Sequence, residues 1–341
     1  MNPVLVTGGA GYLGSHTCLS LVEAGYRPVI VDNLSNARRS VVARLSDLAG
    51  CEIRLHEVDV RDRDGLDRVF ARERPQAVLH FAGLKAVGES VAHPERYYDN
   101  NVHGSLQLLA AMAAAGVGTL VFSSSATIYG DPAALPVPES ARQEPANPYG
   151  RTKKIVEDLL ADLHAARPEF WRVARLRYFN PAGAHPSGRI GEDPADTPSN
   201  LVPFVCRVAA GLLPELVVFG ADYPTPDGSG VRDFIHPCDL ADGHVAALAA
   251  LRGGAGLCTY NLGTGRGHSV FEVVRRFEQV TGVRVPVRIG PRRAGDVAAC
   301  WADASAMQAA VGWRTRRDLD AMLADAWRWQ CWARDNPGLT G

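Results

Sequence analysis

The sequence predicts an α/β protein, a doubly wound parallel sheet followed by a smaller C-terminal α/β domain, and three observations lead there. Short β-rich runs alternate with helical patterns through about residue 180, the signature of βαβ units. A glycine-rich turn, Thr7-Gly8-Gly9-Ala10-Gly11-Tyr12-Leu13-Gly14, follows the first of those runs and opens a helix. From Pro181 the composition shifts to loops rich in Pro, Gly and Asp, such as His185–Gly191 and Tyr223–Gly230, between shorter elements.

The β-rich runs are Val4–Thr7, Pro28–Asp32, Ile53–Val60, Ala77–Ala82, Thr119–Ser124 and Arg172–Tyr178. Six such strands form one sheet, and ligands of doubly wound sheets sit beyond the carboxyl ends of the strands. Those ends carry Gly8, Asp32, Asp59, Gly83 and Ser125. The expected division is residues 1–180 for the sheet domain and 181–341 for the second domain. Asp318–Trp332 reads as a closing amphipathic helix, with Trp327, Trp329 and Trp332 as packing residues. There is no internal repeat.

Composition narrows the function classes. Over 341 residues the net charge is -1 without a long run of one sign, so the chain has no footprint for nucleic acid or anionic lipid. An anionic ligand must be met by local groups. Seven scattered cysteines without CxxC spacing argue against a disulfide framework or a zinc site and for a reducing, cytoplasmic setting. No apolar run is long enough to span a membrane, and Met1-Asn2-Pro3 leads straight into a strand without room for a signal peptide. The histidines are dispersed, and His236-Pro237-Cys238 reads as a turn, so no metal site is expected.

The glycine turn is the first element with chemistry. Gly8, Gly11 and Gly14 are spaced GxxGxxG, which lets the backbone turn tightly and approach a pyrophosphate. Unbonded N–H groups and the positive end of the helix dipole stabilise that ligand's charge. Asp32 ends the next strand, placed to accept hydrogen bonds from an adenosine ribose and to repel a 2′-phosphate. This Rossmann arrangement favours NAD over NADP. Arg38 and Arg39 would suit a 2′-phosphate, but they read as a solvated helix face.

Asn147-Pro148-Tyr149-Gly150-Arg151-Thr152-Lys153 reads as a helix start, with Asn147 as cap and Pro148 in the first turn. Tyr149 and Lys153 share one face, and Val156, Leu160 and Leu163 continue it toward the interior. A free tyrosine is a poor base near neutral pH, but an adjacent ammonium and an oxidised nicotinamide ring both favour its phenolate. Tyr149 is therefore the candidate base, Lys153 its activator, and Ser125 at a strand end a neutral proton relay.

These residues resemble the extended short-chain dehydrogenase/reductases, and among them the UDP-hexose 4-epimerases, nearly end to end. The resemblance is carried by Asp32-Asn33-Leu34, by the run His80 to Ser90, by Tyr97-Tyr98-Asp99-Asn100-Asn101 and by Ser123-Ser124-Ser125-Ala126-Thr127. Further on it is carried by Arg177-Tyr178-Phe179-Asn180-Pro181, Gly183 to Gly188 and Trp301 to Ser305. It implies that Tyr12, Leu13, Asp32, Asn33, Asn36, Asp59, Val60, Phe81, Ala82, Gly83, Lys85, Asn100 and Phe179 contact NAD. Asn180, Asn200, Leu201, Phe219, Arg232, Arg293 and Asp296 would surround a UDP-sugar, the arginines suiting its pyrophosphate. It further implies a homodimer through helices near 95–115 and 150–165, and segments near 235–262 returning to the NAD domain.

A nucleotide-sugar 4,6-dehydratase is the nearest rival, but such enzymes resemble one another in an acid pair after the relay residue, where this chain has Ala126-Thr127. A net alcohol dehydrogenase of the same superfamily would accumulate NADH. A non-catalytic NAD-binding regulator would need neither Tyr149 nor Lys153. Cys300 stands where members restricted to plain hexoses resemble one another in carrying tyrosine, so its small side chain implies room for an acetamido group.

Overall fold

The computed structural model describes residues 2–194, 198, 200–254, 256–293 and 296–340. Among them the main sheet has seven strands: Pro3–Thr7 (β1), Arg27–Asp32 (β2), Arg54–Glu57 (β3), Ala77–His80 (β4), Thr119–Ser125 (β5), Arg172–Tyr178 (β6) and Leu257–Leu262 (β7). All neighbours pair in parallel in the order β7-β6-β5-β4-β1-β2-β3. The order reverses direction between β1 and β4, which places a crevice at the carboxyl ends of those two strands.

The inner strands β1, β2 and β4 are buried along almost their whole length because helices cover both faces of the sheet. On one face Leu19, Leu21, Val41, Val42, Leu45, Leu248 and Leu251 come from the helices Tyr12–Glu23, Arg39–Ala49 and Pro237–Arg252. On the other, Leu66, Phe70, Leu108, Met112, Val156 and Leu160 come from Arg63–Glu73, Gly104–Ala114 and Pro148–Ala166.

Two strands are shorter than the sequence pattern predicts, and one is additional. The third stops at Glu57 because the Asp59 carboxylate accepts the Arg61 N–H and the Asp59 carbonyl accepts the Asp62 N–H, which turns the chain out of the ladder. The fourth stops at His80 because the amides of Phe81 and Ala82 both turn onto the Thr7 carbonyl, 3.0 and 3.1 Å away. The seventh strand, Leu257–Leu262, pairs with β6 from Val173 to Tyr178, and the helix before it packs on Tyr12–Glu23. Chain far beyond residue 180 thus completes the main sheet and the helix layer that holds Tyr12–Glu23.

The remaining elements form a second core from Val202, Val205, Val218, Phe234, Val273, Phe277 and Leu323. It contains the small sheet of Asn180–Pro181, Val231–Ile235, Gly267–Ser269 and Ala299–Cys300, and the pair Leu216–Phe219 with Val287–Gly290. The closing helix runs Leu319–Asp335, capped by Asp318 accepting from the Ala321 N–H. Its Trp329 and Trp332 stack at 5.5 Å under the Arg44 guanidinium, tying the C-terminus to the first layer.

Candidate active site

The glycine turn at the end of β1 allows very little side-chain volume. Gly8 has φ +68°, and a β-carbon there would stand 2.7 Å from the Ala82 nitrogen. A β-carbon on Gly14 would stand 2.3 Å from the Gly8 carbonyl oxygen. Gly11 caps the helix Tyr12–Glu23 without a side-chain cap, and no acidic residue occupies the first turn, so the positive helix end stays available to an anion. Asp32 accepts the N–H groups of Ala10 (3.0 Å) and Leu34 (2.9 Å), joining the turn to the end of β2. Asn36 and Ala37 line a small cavity beside Gly11 and Tyr12. These residues fit the phosphates and ribose of a dinucleotide. Arg39 pairs with Glu57 and Arg38 lies 3.7 Å from Asp193.

Beside the turn, Asn33 donates to Asp59 at 2.8 Å, and the Arg61 guanidinium holds the Asp59 carboxyl well below its ordinary range. Val60 is buried against Gly104, Leu13 packs on the first core, and the Phe81 ring lies 4.6 Å from His244. Asn100 donates to Asn101 within the π-helical turn Tyr98–His103. Asn101 in turn bonds both backbone groups of Leu84 and the Thr152 hydroxyl, which pins the Gly83–Lys85 loop to the helix Pro148–Ala166.

That helix starts as its sequence dictates: the Asn147 side chain accepts the Gly150 N–H at 2.9 Å, a cap that contributes about 1 kcal/mol. Tyr149 and Lys153 are both buried on its inner face. Lys153 Nζ donates to the Ser123 carbonyl at 2.7 Å and lies 4.9 Å from the Phe122 ring centre and 6.0 Å from that of Tyr149. Burial pushes Lys153 down to about 8, against the opposing pull of Glu157. Burial also raises Tyr149 above its ordinary value, while the neighbouring Ser125 hydroxyl acts the other way. Ser125, at the end of β5, accepts from the Thr127 N–H (3.2 Å) and hydroxyl (3.0 Å). Burial therefore favours the Tyr149 phenol, and a positive charge must oppose it for the tyrosine to act as a base.

The remaining candidates lie in the chain from Phe179 onward. Phe179 and Cys300 share a buried cluster with Ile128 and Tyr129, and burial pushes the Cys300 thiol up to about 11. Asn180 lies in the strand beside Val231–Ile235, where Arg232 donates to the Val231 carbonyl. Phe219 is 43% exposed, an outward aromatic face with the Arg293 guanidinium 5.5 Å from its centre. Arg293 also pairs with Asp296. Asn200 caps the helix Leu201–Ala209 by backbone position only, and its amide goes to Glu192 at 2.8 Å.

Two bridging contacts escape the sequence reading. Glu192 accepts both from Asn200 and from Lys85 (2.7 Å), so one carboxylate links a candidate substrate residue to a candidate cofactor residue. The Tyr12 hydroxyl donates to the Gly183 carbonyl at 2.7 Å, joining the helix Tyr12–Glu23 to the loop after Asn180–Pro181. No local pattern marks Glu192, because its partners lie 8 and 107 residues away.

A glycine turn, an acidic strand end and a buried Ser-Tyr-Lys set at one crevice define a nucleotide-binding oxidoreductase-type fold, and the chain belongs to the NAD dependent epimerase/dehydratase family, whose pattern it matches over residues 4–263. Its relatives narrow the class. The UDP-glucose 4-epimerase of Yersinia pestis is 55% identical over 96% of this chain and 97% of its own. The Stenotrophomonas maltophila UDP-glucose-4-epimerase, solved with NAD and formylated UDP-arabinopyranose, is 52% identical with a TM-score of 0.96 over 98% of this chain and 99% of its own. The Bifidobacterium longum enzyme, solved with NAD+ and UDP, is 47% identical with a TM-score of 0.94 over 98% and 99%.

Proposed function

We propose that the chain interconverts UDP-glucose and UDP-galactose through a 4-keto sugar while keeping its NAD bound. The observation that carries this reading is the meeting of Ser125, Tyr149 and Lys153, all buried, at the same crevice as the Gly8–Gly14 turn. When bound, NAD supplies the acceptor and later the donor of the C4 hydride. Tyr149 takes the proton of the 4-hydroxyl through Ser125, which stays neutral. Lys153 is held at the Ser123 carbonyl, 6.0 Å from the Tyr149 ring centre, where its positive charge opposes the burial that favours the phenol.

The proposed division gives residues 1–180, with 235–262, to NAD and the rest of 181–341 to the UDP-sugar. Arg232 and Arg293 meet the pyrophosphate from separate segments, and Asn180, Asn200, Leu201, Phe219 and Asp296 surround the nucleotide and sugar. Anchoring through the nucleotide leaves the hexose loosely held, which lets the keto sugar present either face to the returning hydride. After Ser125 the chain makes a single 3-10 turn, Ala126–Tyr129, and carries no acid there, which speaks against a dehydratase. Incubating purified protein with UDP-galactose and no added nucleotide tests the reading. UDP-glucose is the expected product, and its absence overturns the proposal.

Three finer readings accompany it. Cys300 leaves room beside the sugar's 2-substituent, so N-acetylated UDP-hexoses are second substrates. A homodimer is supported by exposed Val91, Tyr98, Leu106 and Ile155 on neighbouring helices. A cytoplasmic setting is supported by seven unbridged cysteines, while no helix is long and apolar enough to cross a membrane among the described residues.

A further inference from the structure

Arg177 and Glu157 are charged side chains with 2% and 1% of their surface exposed. Arg177 Nε donates to both carboxylate oxygens of Glu157 (3.0 and 3.2 Å), and Nη2 donates to Oε2 at 2.6 Å. Its Nη1 donates to the Tyr129 hydroxyl (3.0 Å) and to the Glu139 carbonyl (2.9 Å). Glu157 Oε1 also accepts the Ser124 hydroxyl. Taking such a pair out of water costs as much as its attraction returns, and an apolar pair of equal volume would hold the same elements at least as firmly. Stability is therefore a weak reason for two buried charges at this point.

Their neighbours in sequence supply a better one. Glu157 follows Lys153 by one helical turn and Tyr149 by two. Ser124 precedes Ser125, and Tyr129 closes the turn that follows it. Arg177 is the second residue before Phe179 and the third before Asn180. We propose that the Arg177–Glu157 pair is the positioning element of the catalytic centre. It registers the helix Pro148–Ala166 on the ends of β5 and β6, so that Ser125, Tyr149 and Lys153 meet, and it keeps a carboxylate one helical turn from Lys153. The inference rests on the proton-transfer role given above to those three residues.

The electrostatic part has a definite sign. Glu157 raises the Lys153 pKa against burial, so removing its charge moves the loss of the ammonium to lower pH. Of the other titratable groups, Tyr149 lies on the same helix as Lys153, His80 on β4 faces Lys153 and is held neutral by burial at a pKa of about 3, and Tyr178 on β6 meets the Ser123 hydroxyl. On the short helices packed against the catalytic one, Arg96 pairs with Glu89, Asp99 with His103 and Arg61, and Glu95 lies 3.8 Å from His93, all at the surface. On β6 the remaining charges bonded to Glu157 are Arg175, which donates to the Glu157 carbonyl, and Arg177, and freeing Arg177 from Glu157 acts in the same direction.

The test compares the purified wild type with Glu157→Gln, the double variant Glu157→Leu/Arg177→Met, and Tyr149→Phe. Glu157→Gln is expected to keep its bound NAD(H) and the KM for UDP-galactose to within about threefold. Its kcat falls about tenfold to a hundredfold, the scale of small misplacements at a reacting centre, and the alkaline limb of its kcat profile moves to lower pH. The double variant removes both buried charges, so its melting midpoint stays at or above that of Glu157→Gln while its kcat stays low. Recovery of wild-type kcat in the double variant overturns the proposal, because the pair would then serve folding alone. So does a Glu157→Gln pH profile that superimposes on the wild type. If Glu157→Gln does not fold, the double variant decides by the same criterion. Near-normal turnover in Tyr149→Phe removes the underlying proton-transfer reading instead, and the proposal falls with it.

Discussion

Lys153 donates its ammonium proton to the Ser123 carbonyl at 2.7 Å, two residues before Ser125, while Tyr149 stands one turn before it on the same helix. The lysine thereby fixes the helix to the strand end that carries Ser125, and its charge, 6.0 Å from the Tyr149 ring centre, opposes the burial that raises Tyr149. Removing the Tyr149 hydroxyl should spare that scaffold, since Lys153 anchors independently. Tyr149→Phe is expected to melt like the wild type and to keep its cofactor, while kcat falls at least about 10²-fold, as for the loss of a general base. Steady-state rates with UDP-galactose check this, and turnover within a few-fold of wild type would take Tyr149 out of the reaction.

The glycine turn makes the second prediction. Protein as purified should carry close to one NAD(H) per chain, measured by acid release and enzymatic assay. Gly14→Ala places a β-carbon 2.3 Å from the Gly8 carbonyl and must push the helix start away from the turn. Its nucleotide content should fall to a minor fraction, with a lower melting midpoint. Full occupancy in Gly14→Ala would mean that the turn is not where the pyrophosphate sits.

Cys300 lies buried with Phe179, Ile128 and Tyr129, in register with Arg232 on the neighbouring strand. Filling that space with a ring costs about 1–3 kcal/mol for the larger substrate. Cys300→Tyr should therefore lower kcat/KM for UDP-N-acetylglucosamine roughly tenfold or more and leave UDP-glucose nearly unchanged. Equal losses on both sugars, or a wild type inactive on the N-acetylated one, would end the idea.

Buried histidines set the acid stability. His16 and His80 are pushed down to about 3 and His244 to about 4, in each case chiefly by burial. His80 accepts from Thr7 and donates to Ser105, whose hydroxyl is given to the Asn101 carbonyl, a set that requires the neutral ring. Unfolded histidine titrates near 6.5, so between about pH 6.5 and 4 the unfolded chain binds more protons, and folding stability falls as pH falls. Each histidine contributes up to about 1.4 kcal/mol per pH unit in that window. Urea midpoints measured from pH 7 to 5 should drop steeply, and His244→Leu should show a shallower slope than wild type. Parallel slopes would assign the acid sensitivity elsewhere.

The exposed apolar residues of the 87–106 and 148–166 helices make the last prediction. Leu106 and Ile155 are 44% and 38% exposed, and a dimer would bury them against their copies. Wild type should sediment as a dimer at micromolar concentration, and Leu106→Glu should shift it toward monomer. A wild type that sediments as a monomer excludes this interface.

The chain itself specified whatever rests on short-range geometry. The strand-turn-helix at Gly8–Gly14, the Asn147 cap and the shared face of Tyr149 and Lys153 follow from local backbone preferences and the 3.6-residue turn, so they could be read before any contact was known. Even Glu157 lay on that readable face, four residues past Lys153, although nothing local indicated what it meets. Tertiary structure decided the rest. Arg177 reaches Glu157 across 20 residues, Glu192 reaches Lys85 across 107 and Tyr12 reaches Gly183 across 171. These pairings depend on the order of strands in the sheet and on a distant segment, Leu257–Leu262, adding itself beside β6. Strand ends behaved in the same way. His80 and Glu57 end their strands because Thr7 and Asp59 capture the next amides or turn the chain, and hydrogen-bond competition of that kind leaves no periodic trace in the sequence.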